Sequence, residues 1–536
     1  MTVLLTNKNS INSDKMSISN FFYKSTYSFI LLLGIFLSVS AQNGPKKINF
    51  RANRLEYDEA YLPGVDRFKG NVVFTHDQTT GYCDSAHFYK DRNYMEGFGE
   101  RIRINLNDSL TLYGKYLTYD ADLKIITISR NVILRDNNSA LYTDSLVYHT
   151  NTEHGYYLTG GRMVSKDNIL TSLIGNYYTN LNRIILEGNV KLVNNSYQMT
   201  CDSLAYNTET ETTYFISRTK LTSEENIIYT NSGWYNTRKD VTLLVDSVEL
   251  HNKTQFLTGD SIYYDKNLRF GIGHQNIVVI DSSKNYIIKG NYVEHYELGG
   301  TSVVTDSSLV ILIENEDSLY LHADTLKIFF DSLQEPQHIQ AYNKVKFYRS
   351  DMQGACDSLS YLTNDSILIM YYNPVIWSGM NQLSADTIRF YIEDSSNIRV
   401  YLIKSGFIVS SLYEETEFNQ IKGLTITGYI QNQDLKRVDV NGNAECLYYI
   451  QEEDSSLVGI NSSATSEMRI FLENNEVTSI TFFNSPDGIL HPENMLTPKE
   501  RLLRDFRWLI QYRALSPKDI FHTPIPRYKV TPEEEN

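Results

Sequence analysis

A chain of 536 residues with 41% apolar residues and 40 tyrosines has ample material for a buried core, which excludes an intrinsically disordered protein. Its formal charge of −15 excludes a nucleic-acid partner, because neutralising phosphates needs a basic face. Four cysteines in so long a chain do not make a disulfide framework.

Residues 1–41 read as a secretory signal peptide. Lys24 supplies the positive start, Phe29–Val39 the apolar stretch and Val39-Ser40-Ala41 a small-residue cleavage site. That apolar stretch is far shorter than the ~20 residues a membrane helix needs, so an exported mature protein is expected. No later stretch is long and apolar enough to span a membrane as a helix.

From about residue 70 to residue 390 two phrases recur. The first carries a small residue, in the column Cys83, Gly114, Thr143, Gly175, Cys201, Ser232, Gly259, Gly290, Ala323, Cys356 and Ala385, at spacings of 26 to 33 residues. Three and five residues beyond it stand apolar pairs such as Leu146 and Tyr148, Leu204 and Tyr206, Ile262 and Tyr264, and Leu359 and Tyr361. Alternation of this kind marks half-buried strands. The odd step after the small residue requires a bend or bulge there, with the small side chain inside it.

The second phrase is Gly-Asn-Val or a variant, as at Gly70-Asn71-Val72 and Gly188-Asn189-Val190. Gly and Asn tolerate a left-handed backbone, so this phrase is expected to make the turn that starts the next strand. One unit is then about 30 residues of strand and tight turn, unable to bury its own apolar face but able to do so when stacked. The fold class expected is all-β, an elongated stack of antiparallel strands. A first stack is placed at 42–300 and a second, with decaying repeats, at 301–485.

The composition changes at residue 486, after which prolines concentrate. Thr497-Pro498-Lys499-Glu500 is a capping box, and Leu502, Leu503, Phe506, Leu509 and Ile510 follow at helical spacing. An amphipathic α-helix over 498–514 is expected, its apolar side closing the open end of the stack.

The repeated Asp-Ser pairs invite a catalytic or metal reading. A catalytic residue occurs once, whereas Asp84, Asp144, Asp202, Asp260 and Asp357 occupy equivalent corners, where a carboxylate capping backbone explains the repetition. Cys83, Cys201 and Cys356 read as small buried hydrophobes of the same corners. Cys446 lies outside the column and has no assigned role. No zinc-protease pattern, nucleophile elbow or phosphate-binding loop occurs, so no catalysis, metal or cofactor is expected.

The two phrases, with Gly70-Asn71-Val72 before Cys83-Asp84-Ser85 and Gly188-Asn189-Val190 before Cys201-Asp202-Ser203-Leu204-Ala205-Tyr206, resemble the OstA-like family over roughly residues 48–400. That resemblance implies the β-jelly roll of lipopolysaccharide-transport proteins, a periplasmic location and an apolar inside that shields acyl chains. It also implies partners: lipopolysaccharide or a related lipid, and other jelly-roll proteins joined end to end by strand addition. An outer-membrane barrel is a further implied partner, and with it an association with the outer membrane. The lipid-facing row would hold Val190, Leu192, Leu204, Tyr206, Leu146, Tyr148, Ile262, Tyr264, Leu359 and Tyr361. The alternative is a structural, adhesin-like solenoid whose interior is filled by its own side chains.

Overall fold

The computed structural model describes residues 47–522 and 524, apart from 61, 138, 167, 314–316, 333–334, 394–395, 413–414, 433, 452–456, 474–475 and 493–494. The expected signal peptide lies outside the described residues. Between them the described strands form one 38-stranded sheet whose pairings are all between antiparallel neighbours. The chain meanders: each strand runs across the sheet, turns, and comes back beside itself.

The sheet is folded along its length, and the two phrases make the crease together. In the pair Arg183–Val193 and Tyr197–Asn207, Glu187 faces Ser203 and Val190 faces Cys201, so Gly188-Asn189 stand opposite Asp202 alone. Their φ values are 75° and 51°. This is a bulge inside a continuous strand, which bends the sheet at that point. It corrects the expectation of a turn starting the next strand. The pair Val65–His76 and Thr79–Tyr89 repeats the geometry, with Gly70-Asn71 opposite Asp84. Each long strand therefore contributes its two halves to two facing walls, while short strands such as His154–Tyr157 and Gly161–Ser165 lie in one wall each.

The crease explains the small-residue column. Cys83 is paired with Val72, Gly114 with Ile102, Cys201 with Val190, Gly290 with Ile277 and Cys356 with Val345. A branched residue on one strand occupies the space its neighbour leaves. A Cβ on Gly259 would lie 2.3 Å from Ile277 Cδ1, and one on Gly114 2.5 Å from Ile128 Cγ1. In two units the column is shifted. Gly175 pairs with Leu186 on the first wall, and the corner there is Ser172; Thr230, rather than Ser232, fills the other. Their hydroxyls donate to backbone carbonyls of the bend.

The interior holds two large apolar clusters, one running from Ile48 to Val248 and the other from Val304 to Ile470. Both walls contribute to each.

Residues 498–514 do not form the expected α-helix. Thr497 N–H and Oγ1 donate to Glu500 Oε2 (2.8 and 2.6 Å), so the capping box closes one turn, and the chain then runs on with only short 3-10 turns at Ile510–Tyr512 and Asp519–Phe521. It crosses the outer face of the second wall, from Ile460 back towards Leu309. The reason lies in the backbone's partners. Gln420 takes Leu503 N–H and gives its amide to Arg501 C=O, and Gln382 does the same for Leu509 and Arg507, all at 2.7–2.8 Å. Both glutamines are fully buried. The side-chain amides replace the hydrogen bonds a helix would have made, and the spaced apolar residues drop into successive sites. Leu509 meets Ala355, Val375 and Trp377, while Phe506 and Trp508 meet Phe418. This segment, called the strap below, covers a side of the stack rather than its open end.

Candidate functional site

Strand pairing lines the interior with unbroken rows of residues. One row on the second wall runs Leu134, Leu141, Met163, Leu170, Leu192, Met199, Leu221, Ile228, Leu250, Leu257, Val279, Ile288 and Val310, each paired with the next. A first-wall row passes through Leu186, Leu204, Phe215, Gly233, Leu244, Ile262, Gly273 and Val293. Beside it runs a row through Tyr148, Gly155, Tyr177, Ile184, Tyr206, Thr213, Tyr235, Thr242 and Tyr264.

The row residues differ in how well they are covered. Val190, Leu192, Leu204, Tyr206, Leu146, Tyr148 and Leu359 are buried. Ile262, Tyr264 and Tyr361 are half-buried. Up to Val248 the interior is filled by its own side chains. The cavity beneath Leu110, Leu146, Tyr157 and Leu186 measures about 20 Å³, room for a single water.

Between the two clusters the filling fails. Leu250, Leu257, Tyr264 and Val279 point into the interior, are only half-buried, and belong to neither cluster. The inward glycines here are not the gap: Ile277 fills the space beside Gly259 and Gly273, Val304 that beside Gly290, and Tyr264 lies against Gly271. Half-buried apolar side chains keep part of their surface available to another occupant. At the rim Asp281, fully buried, accepts hydrogen bonds from Gln255 Nε2 (2.9 Å), Ser283 N–H and Lys284 N–H. Tyr264 donates to Glu297 (3.1 Å), and burial followed by that carboxylate raises its phenol above the usual range.

The corner aspartates do not share one role, and of the five expected backbone caps Asp84 shows the expected bond. Asp84 Oδ2 accepts Glu100 N–H at 3.0 Å, a backbone cap. Asp260 instead takes Asn276 Nδ2, and Asp324 and Asp386 pair with Lys344 and Lys404 across the bulge. Asp357 takes the neighbouring Ser358 hydroxyl (2.8 Å). At Asp202 it is the backbone N–H that is held, by Ser217 Oγ, and Asp144 stands exposed at its corner. The four thiols are free. Burial pushes Cys83 up to about 12 and Cys201 and Cys446 up to about 11, and it raises Cys356 as well. Cys446 proves to be an inner-row residue paired with Ile421 and Ser463. Among the described residues no three His, Cys, Asp or Glu side chains are grouped to hold a metal, and no helix is long and apolar enough to cross a membrane.

Sequence reasoning missed the half-filled interior and the glutamine clamps.

Residues 46–202 and 184–260 match the family model described as OstA-like protein, and residues 313–396 match that of the LptA/(LptD N-terminal domain) LPS transport protein. No curated protein matches the chain. A solved structure of LptH, the LptA-homologous periplasmic component of the lipopolysaccharide transport device from Pseudomonas aeruginosa, is similar over 20% of this chain and 77% of that one. The identity is 18% and the TM-score 0.18.

Proposed function

The chain belongs to the OstA-like family of lipopolysaccharide-transport proteins, and from that premise we propose that it is a non-catalytic periplasmic bridge or scaffold for lipopolysaccharide. In this reading acyl chains enter the half-filled interior around Leu250, Leu257, Tyr264 and Val279. The observation that carries it is that break between two closed cores, the place where an apolar row is continuous but uncovered. Burying an acyl chain there gains roughly 0.8 kcal/mol per methylene removed from water. The rows through Leu204, Tyr206, Leu146, Tyr148, Val190, Leu192, Leu359 and Tyr361 would take lipid only if the walls part, since in this form their own neighbours cover most of them.

Export and the strand edges at Asn49–Arg51 and Glu476–Phe483, unpaired on their outer side among the described residues, fit end-to-end joining with other jelly rolls, and with a barrel partner in the outer membrane. A closed structural solenoid is the second reading, favoured by the tight packing from Ile48 to Val248. The test is to incubate the mature protein with lipopolysaccharide carrying a photo-crosslinker in an acyl chain and map the adducts. Adducts at Leu257 and Tyr264 are expected. Absence of adducts at every inward residue rules out the lipid reading and leaves the solenoid.

A further inference from the structure

The outer face of the second wall differs from the interior in chemistry and, in the first half of the chain, is bare. Pairing places Tyr82, Arg103, Tyr113, Ile133, Tyr142 and Arg162 side by side, and the row continues through Thr171, Lys191, Thr200, Lys220 and Tyr229. Neighbouring strands lie about 4.8 Å apart, so Tyr82, Tyr113 and Tyr142 recur at roughly 10 Å. Guanidinium groups lie on these rings: Arg103 sits 4.4 Å from the Tyr82 ring centre, Arg101 4.8 Å from Tyr113 and Arg162 6.0 Å from Tyr142.

Carboxylates do not neutralise this row. Lys115 pairs with Glu100, Lys166 with Glu211 and Arg218 with Glu249, whereas among the described residues no ion pair engages Arg101, Arg103, Arg162, Lys191 or Lys220. All five of these cations are exposed. In a protein of charge −15 an unpaired basic row is a local exception. An exposed guanidinium beside a tyrosine ring and without a carboxylate partner has N–H groups available to grip an oxyanion through two parallel hydrogen bonds. Next to it a broad concavity of about 550 Å³ opens between Tyr142, Asp144, Arg162 and the bulge at Asn131.

We infer that this Tyr-Arg ladder binds a phosphorylated saccharide, at a site on the outer face that is separate from the interior acyl site: Arg162 lies seven strands from Thr258. The inference rests on the lipopolysaccharide reading above for the identity of the saccharide. Phosphates meet the guanidinium edges and Lys191, and a sugar ring occupies the concavity beside Tyr142. Over the second half the equivalent row, Leu309, His322, Lys346, Ala355, Val375, Ser384 and Phe407, has no such chemistry and lies under the strap, so the ladder is confined to the first half.

The test uses the full mature protein and a deacylated, phosphorylated lipopolysaccharide saccharide, which cannot exploit the interior. Wild type should bind it, more weakly as salt rises. R103Q/R162Q/K191Q should bind at least tenfold more weakly with an unchanged circular dichroism spectrum, R103K/R162K should fall between them, and phosphatase-treated saccharide should lose binding to a similar degree. No binding by wild type, equal binding by the triple variant, or indifference to phosphatase overturns the ladder. Acyl-chain crosslinking at Leu257 reads the other claim separately. Ladder binding without such crosslinks would leave the ladder standing and sink the interior site.

Discussion

The first and second halves share one folded sheet, one crease and the same inward rows, yet they finish the outer face of the second wall differently. In the first half that face ends in water, with tyrosine and arginine on display. In the second half the next outer row reads Ile311, Tyr320, Tyr348, Gln353, Trp377, Gln382, Val409, Gln420 and Leu447, too apolar to leave wet. The strap covers it. A sheet apolar on both sides has to be buried on both sides, and here the cover comes from the same chain's C-terminal segment. The difference shows that one repeat can carry two kinds of surface without changing its inside.

Cutting the chain before residue 486 should have the largest effect on this contrast. It uncovers Ala355, Trp377, Val409, Leu447 and Ile460, all of which are buried. Hydrogen exchange should rise sharply over about 300–470, where a loss of several kcal/mol is expected, and stay nearly unchanged over 48–215. Uniform loss across both halves would mean that the halves are not separate in stability.

Overpacking the crease comes next. Cys356→Leu or Gly114→Leu should cost about 1–3 kcal/mol by chemical denaturation, because Val345 and Ile128 already occupy the space, whereas Cys356→Ala should cost less. The same cost in both halves would show that the crease is common to them.

The clamps distinguish them again. Gln382→Ala and Gln420→Ala each remove two hydrogen bonds to the strap backbone, for about 1–3 kcal/mol apiece. Local exchange at 501–509 should report it. If both variants exchange like wild type there, the strap is held by its apolar contacts alone.

The most local effect is expected at Lys346, buried under the strap with its Nζ lacking a hydrogen bond. Burial lowers its pKa to about 8, with Asp519 opposing the shift. The depressed folded value means the charged form is disfavoured by folding. That penalty is fully present below pH 8 and is relieved as pH rises from 8 towards the unfolded value near 10.5. Lys346→Met should therefore stabilise the second half by about 1–3 kcal/mol at pH 7, and the gain should shrink towards pH 10. A gain that is constant with pH would place the effect in packing rather than charge.

Much of this was legible in the residues, and the exceptions have physical causes. Period-two rows through Leu204 and Tyr206 name the inward face directly, because a strand has only two faces. The crease was half legible. Cys201-Asp202 and Gly188-Asn189 each announce a local break, but only pairing shows that they sit opposite one another. The tail misled because Leu502, Leu503, Phe506, Leu509 and Ile510 have helical spacing, and the competing partners, Gln382 and Gln420, stand 81 to 127 residues away. Tertiary hydrogen bonds overrode a local pattern. The gap in the interior was hard to read for a different reason. It depends on how Leu250, Leu257, Tyr264 and Val279 from several strands are covered by the facing wall, which no single strand announces.

Thiol accessibility along one inner row tests the central claim most directly, because the native cysteines, raised by burial, should react slowly. Leu257→Cys should label fast in the unliganded protein, Leu134→Cys hardly at all. Acylated lipopolysaccharide should block the first, and its deacylated saccharide should not. Equal, slow labelling at both positions, or labelling of Leu257→Cys that acylated lipid leaves untouched, would contradict an interior that is open between two closed cores.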